Sequence, residues 1–311
     1  MLSLDSLFNG LKLIMNKKKS DVIYRKGFYR KSYIYIFAAI LASNIIPLSD
    51  ALAKISSSNH SIIQIVWARF FFFTIISSIF LLYTNSYVLL KPSGEKFLIF
   101  RGGALLISIF LFYSSLQFLP LASALSIWFI QPFILILLTN FFLGERVKLM
   151  VWVAILVGFF GVLVANKPEF TGFHWATFLA AGSGVAYAYF LFITRLASDG
   201  RTAVEVTYQT GIIGSIVCSI LVVPFWSWPS LDTWILFLLI GCISALSHYL
   251  TVFAYSNESA SKLAPLSYTE LIGAAILGFI IFSDIPDLWS ITGFLLIIIS
   301  GVYLTLISPP E

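Results

Sequence analysis

"APLSYTELIGAAILGFIIF", residues 264–282, is a predominantly apolar run of 19 residues that carries a carboxylate, Glu270. About 20 apolar residues suffice for a helix to cross a bilayer. The run therefore has the length of a membrane span, and a glutamate inside it needs a reason to be there.

The rest of the chain gives the context. Of 311 residues, 59% are hydrophobic and 11% are charged, whereas roughly a quarter of an ordinary soluble domain is charged. Nine further stretches resemble the first in length and apolarity: 33–53, 62–83, 97–118, 122–142, 147–166, 174–194, 204–223, 233–253 and 288–307. The pattern predicts an all-α integral membrane protein with ten transmembrane helices. No segment of soluble-domain length is left over, so any activity belongs within the membrane or at its rims. Cys218 and Cys242 both fall inside spans and read as small apolar packing residues.

Residues 1–32 differ. "LIMNKKKSDVIYRKGFYRK", residues 13–31, concentrates positive charge without the basic, apolar and small-residue order of a cleaved signal peptide. Leu4, Leu7, Phe8, Leu11 and Ile14 fall near one helical face, so residues 2–15 form either an interfacial helix or a disordered tail. Both readings stay open, as does a true start at Met15.

Threading ten spans from a cytoplasmic amino terminus puts sixteen Lys and Arg on the inner side. Only Lys54 and Lys167 fall outside, and Arg69 is left within a span. The inner set includes Lys91, Lys96, Arg101, Arg146, Lys148, Arg195, Arg201 and Lys262 as well as the tail. This is the positive-inside asymmetry, and it predicts that both termini are cytoplasmic.

The halves also repeat. A shift of 140 residues lays Phe142 on Phe282 and Gly161 on Gly301. A shift of 141 sets "AKISSSNHSIIQIVWAR" beside "TRLASDGRTAVEVTYQT". Each half then holds five spans. Because five is odd, the second half enters the membrane from the opposite side, giving two inverted repeats that can expose a central site alternately to either face.

Three stretches carry a family resemblance: "LSDALAKISSSNHSIIQIVWARFFF" (48–72), "SSLQFLPLASALSIWFIQPFILILLTNFFLGERV" (114–147) and "LSHYLTVFAYSNESASKLAPLSYTELIGAAILGFIIFSDIPD" (246–287). They resemble the paired EamA-type repeats of the drug/metabolite transporter superfamily, over residues 33–167 and 174–307. The resemblance implies a ten-helix carrier in a bacterial inner membrane, with a central cavity for small metabolites and no cofactor. The first repeat keeps the family's Leu143, Gly144 and Glu145, whereas the second has Ser283 and Asp284. "DALAK" and "YTEL" are also similar to S-adenosylmethionine uptake carriers of this superfamily.

Polar groups inside the spans are the candidate site residues. An ionised carboxylate at mid-bilayer costs about 2.5 to 3.5 kcal/mol on insertion scales, so Glu270 should face a cavity or a neighbouring helix rather than lipid. At about 1.5 Å per residue it lies about 9 Å into its span. Ser267, Glu270, Ala274 and Gly278 share a face. His248 falls at similar depth in the preceding span; either it meets Glu270 in one polar site or it hydrogen-bonds a backbone carbonyl, and Glu270 is the group that can exchange its proton for substrate.

Asp50 and Lys54 stand four apart on the first span, within reach of Arg69 on the second. They are expected to form structural or gating charges, as is Glu145 at the turn after the fourth span. Pro47 and Pro132 each remove a backbone donor and should kink their helices, freeing the Ser43 and Trp128 carbonyls. Tyr113, Trp128, Tyr187, Tyr249 and Tyr268 are aromatic groups within spans, and two or three of them are expected to reach a cavity. Tyr113, Trp128 and Tyr268 join Ser267, Glu270 and His248 as the residues expected to bind substrate or couple its transport.

A membrane-embedded enzyme is the rival class. The chain has three His residues and lacks HExxH, GxSxG and a P-loop. The net charge of +5 follows the positive-inside bias and gives no support to nucleic acid as a partner. A small-molecule metabolite and the lipid bilayer are the expected partners. Protons as coupling ion and a homodimer stay open.

Overall fold

The computed structural model describes residues 32–83, 95–143, 149–166, 175–197 and 202–307, and every regular element among them is helical. The tail with its proposed surface helix, and Glu145 at its turn, lie outside the described residues. In chain order the longer helices are α1 (Ser32–Ser56), α2 (Ile62–Tyr83), α3 (Glu95–Leu116), α4 (Leu121–Trp128), α5 (Gln131–Leu138) and α6 (Leu149–Asn166). The second half follows with α7 (Ala176–Ala197), α8 (Ala203–Leu221), α9 (Leu231–Asn257), the short α10 (Ala260–Leu263), α11 (Glu270–Phe282) and α12 (Leu288–Ile307). Local chemistry sets several ends. Thr202 and Glu205 form a reciprocal capping box at the start of α8, and the Ser230 hydroxyl accepts from the Thr233 amide at the start of α9.

Among the described residues, seven helical segments are long and apolar enough to cross a membrane, Leu121–Phe142 being counted as one. Three shorter apolar segments, Leu149–Ala165, Leu266–Phe282 and Leu288–Ser300, accompany them. The outward surface carries large apolar side chains such as Phe141, Phe160, Phe178, Ile220 and Phe279. Such a surface is untenable in water and ordinary against lipid. This is a multi-pass membrane protein.

Two of the apolar stretches are not single helices. The fourth is divided: α4 ends at Trp128, α5 begins with Pro132 in its first turn, and a π-type turn covers Thr139–Leu143. Pro132 has no N–H for the Trp128 carbonyl four residues earlier. That carbonyl instead presses on Gly184 of α7, where no side chain would fit. In the ninth stretch, expected to be one α-helix from Ala264, a 3-10 segment runs from Ala264 to Thr269 with Pro265 in its first turn, and α11 starts at Glu270. A 3-10 helix rises about 2.0 Å per residue, which puts Glu270 about 12 Å along the span rather than 9 Å. Pro47 causes no such division. α1 runs unbroken through it, with the proline ring facing Gly273 of α11.

The halves of the chain interleave. α1 packs along α9, α3 along α7, α2 along α8 and α6 along α12. The last pair approaches closely because Gly161 and Gly293 meet: a Cβ on Gly161 would stand 2.8 Å from the Gly293 carbonyl oxygen. Small residues at such crossings let dispersion contacts replace the hydrophobic drive that lipid removes.

Candidate functional site

The interleaving leaves a cavity in the middle of the bundle, walled by both halves of the chain. One wall comes from the first half: Ser43 and Asp50 of α1, Arg69 of α2, Ser108, Phe112 and Tyr113 of α3, Trp128 of α4 and Gln131 of α5. The other comes from Tyr187 of α7, from Ser244, Ser247, His248, Thr251 and Tyr255 of α9, and from Ser267 and Glu270 where the 3-10 segment passes into α11.

Glu270 is 5% exposed, and among the described residues no hydrogen bond or ion pair reaches its carboxylate. A buried carboxylate is ordinarily paired; here its surroundings are the cavity. Glu270 is the first residue of α11 and follows the 3-10 segment without a gap, so the change of helix type sets where its side chain emerges. Nearby, the Gln131 amide donates to Ser267 Oγ at 3.2 Å, while its own Oε1 is buried without a partner.

Asp50, Arg69 and Tyr113 form a second cluster. Arg69 Nη1 donates to Asp50 Oδ1 at 3.2 Å and to the Tyr113 hydroxyl, and its guanidinium lies 5.4 Å from the Tyr113 ring centre. Lys54 takes no part. Its ammonium donates to the Leu119 carbonyl at 3.2 Å and lies 4.8 Å over the Phe282 ring.

His248 and Glu270 line the same cavity but are not bonded to each other. His248 Nε2 instead meets Arg101 Nη2 at 3.2 Å. Arg101 is the residue that sequence reasoning misplaced. Counted among the inner-rim charges, it is 0% exposed inside the bundle, so Arg69 is not the lone arginine there. Its Nε donates to Thr194 Oγ1 at 2.7 Å, and its Nη1 donates to the Val206 carbonyl at 3.1 Å and to the Thr210 hydroxyl. The signal was its position inside an apolar stretch. Gln131 was passed over as well, although it is an amide at the centre of the fourth stretch.

Of the five aromatic candidates, Tyr113, Trp128 and Tyr187 reach the cavity, and the last two lie 4.8 Å apart, ring centre to ring centre. Tyr249 stacks on Phe253. Tyr268, expected at the binding site, faces away from it. Each residue of a 3-10 helix turns about 120° from the last, so with Ser267 on the cavity Tyr268 points toward Phe129, 5.3 Å away, and Gly158. Pro47 and Pro132 do not line the cavity, although their neighbours Ile46 and Gln131 do.

The EamA-like transporter family matches residues 33–167 and 174–307. The chain is 25% identical over 256 residues to the S-adenosylmethionine uptake transporter of Rickettsia bellii, covering 82% of this chain and 88% of that one. It is 29% identical over 276 residues to the pseudopaline exporter CntI of Pseudomonas aeruginosa, covering 87% and 95%. A riboflavin transporter of Vibrio cholerae matches at 26% over 190 residues, 60% of this chain and 63% of that one. A crystal structure of a protein 20% identical superposes with a TM-score of 0.73 over 89% of this chain and 97% of the other, a likeness of fold. Family and relatives point to transport rather than to an enzyme, and the chain belongs to the EamA-like transporter family.

Proposed function

We propose that this protein is a secondary active transporter that carries a small organic metabolite across the bacterial inner membrane by alternating access. Seven long and three shorter apolar helices make ten spans in two inverted five-helix halves, with both termini cytoplasmic. The division after Trp128 and the change of helix type at Thr269 support the repeat, because they stand in step with the shift that aligns the halves. So does the interleaving: with inverted halves, α1 on α9 and α3 on α7 are the same contact made twice.

The observation that carries the reading is the partnerless Glu270 carboxylate in a cavity whose walls come from both halves. A fixed carboxylate there takes up a proton or the cationic group of a solute, and release of one on binding the other couples their movements. Trp128 and Tyr187 offer ring faces to a flat or cationic solute. S-adenosylmethionine, the substrate named for the Rickettsia relatives, is such a molecule and is the second reading.

The experiment is uptake into proteoliposomes of labelled metabolites, S-adenosylmethionine among them, from mildly acidic to mildly alkaline pH. Glu270→Gln keeps shape and hydrogen bonding but removes the charge. The expected result is a folded protein whose transport falls and loses its pH dependence. Wild-type transport and an unchanged pH profile in the Gln variant would make Glu270 a structural residue.

A further inference from the structure

Arg101 is fully buried, and among the described residues no carboxylate faces it. Its charge is spread over Thr194, Val206, Thr210 and the ring of Phe190, 4.6 Å from the guanidinium carbon. The donor left over, Nη2, is aimed at His248 Nε2 at 3.2 Å. A guanidinium has only donors. The imidazole nitrogen it meets must therefore be the acceptor, which leaves the ring with a single proton, on Nδ1.

The ring is held in that orientation by Phe73 and Phe190, each with its centre 5.1 Å away. Among the described residues no protein group bonds Nδ1, and His248 is a wall of the cavity. The other charged and titratable groups on that cavity are Asp50, Arg69, Glu270, Tyr113, Tyr187 and Tyr255, and none of them bonds the imidazole.

We infer that Arg101 is a positioning residue that fixes His248 as its Nδ1–H tautomer, so that His248 offers the cavity a hydrogen-bond donor for an acceptor group of the solute. This rests on the transport reading above and deepens it. A carboxylate, a carbonyl or an aromatic ring nitrogen is bound at His248, and the cationic or donor end of the same molecule at Glu270. A solute lacking an acceptor leaves the Nδ1–H without a partner in a desolvated site and is discriminated against.

The test is ¹⁵N NMR of the purified full chain labelled at histidine, with the His248 signals assigned by their loss in His248→Gln. The expected spectrum has a protonated Nδ1 and a bare Nε2 in the wild type. In Arg101→Met the proton should move to Nε2 or be shared between the nitrogens. The Nδ1–H should also exchange rapidly with deuterium oxide, as a group facing an open cavity does. A wild-type spectrum with the proton on Nε2, or on both nitrogens, overturns the inference even if Arg101→Met fails to fold. A folded Arg101→Met protein with an unchanged tautomer overturns the role of Arg101. A wild-type Nδ1–H that persists for hours in deuterium oxide faces packed protein and removes the solute-binding role. No solute enters these measurements, so their failure is distinct from a failure of transport.

Discussion

α3 carries a charge cluster toward each end, and the two are built on different principles. At Tyr113 a cation, Arg69, is matched by an anion, Asp50. Twelve residues earlier, about 18 Å along the helix, Arg101 is matched by no anion among the described residues and is satisfied by two hydroxyls, a carbonyl and an imidazole. Both arrangements compensate a guanidinium for lost water. They differ in what is left behind when the arginine is removed.

The largest effect is therefore expected at the paired cluster. Arg69→Ala leaves Asp50, which is 5% exposed, without a counter-charge; breaking a buried pair from one side costs about 3 to 5 kcal/mol. Thermal unfolding in detergent should show the loss, and Asp50→Asn combined with Arg69→Gln should restore part of it. Simple addition of the two single effects would show that the residues are not coupled.

Arg101→Met should cost less, about 1 to 3 kcal/mol. No anion is orphaned, and the Thr194 and Thr210 hydroxyls also donate to Phe190 and Val206 carbonyls of their own helices. A loss equal to that of Arg69→Ala would break the comparison, by showing that the hydrogen-bonded arginine fastens α3, α7, α8 and α9 as strongly as an ion pair does. The smallest effect belongs to Lys54→Met. Here one hydrogen bond to Leu119 and a contact with Phe282 are lost while the apolar stem is kept, so the change should stay within about 1 kcal/mol.

The same contrast shows what the sequence could reveal. Apolar runs of span length mark helices because lipid leaves the backbone no other partner, so the long helices are legible to within a few residues at each end. Pro132 announced the division of the fourth stretch. The 3-10 segment before Glu270 was not anticipated, although Pro265 stands in its first turn. Tyr268 follows Ser267 by one residue and so leaves the cavity face in either type of helix, where it packs on Phe129. Asp50 and Arg69 could be matched because opposite charges in neighbouring spans suggest each other. Arg101 has no such opposite; its partners are a backbone carbonyl and residues from α7, α8 and α9, which only the tertiary packing brings together. An arginine a few residues inside a helix end also resembles one that extends its head to the membrane surface, and so it was counted with the rim.

The central claim is that the cavity opens to each side of the membrane in turn, and a cysteine on its wall tests this most directly. Ser244 lines the cavity and its hydroxyl lies 2.9 Å from Ser49, so Ser244→Cys is a small change once Cys218 and Cys242 have been replaced. A membrane-impermeant thiol reagent should label this cysteine both in right-side-out and in inverted vesicles. Labelling from one side alone, with the protein folded and inserted, would contradict alternating access.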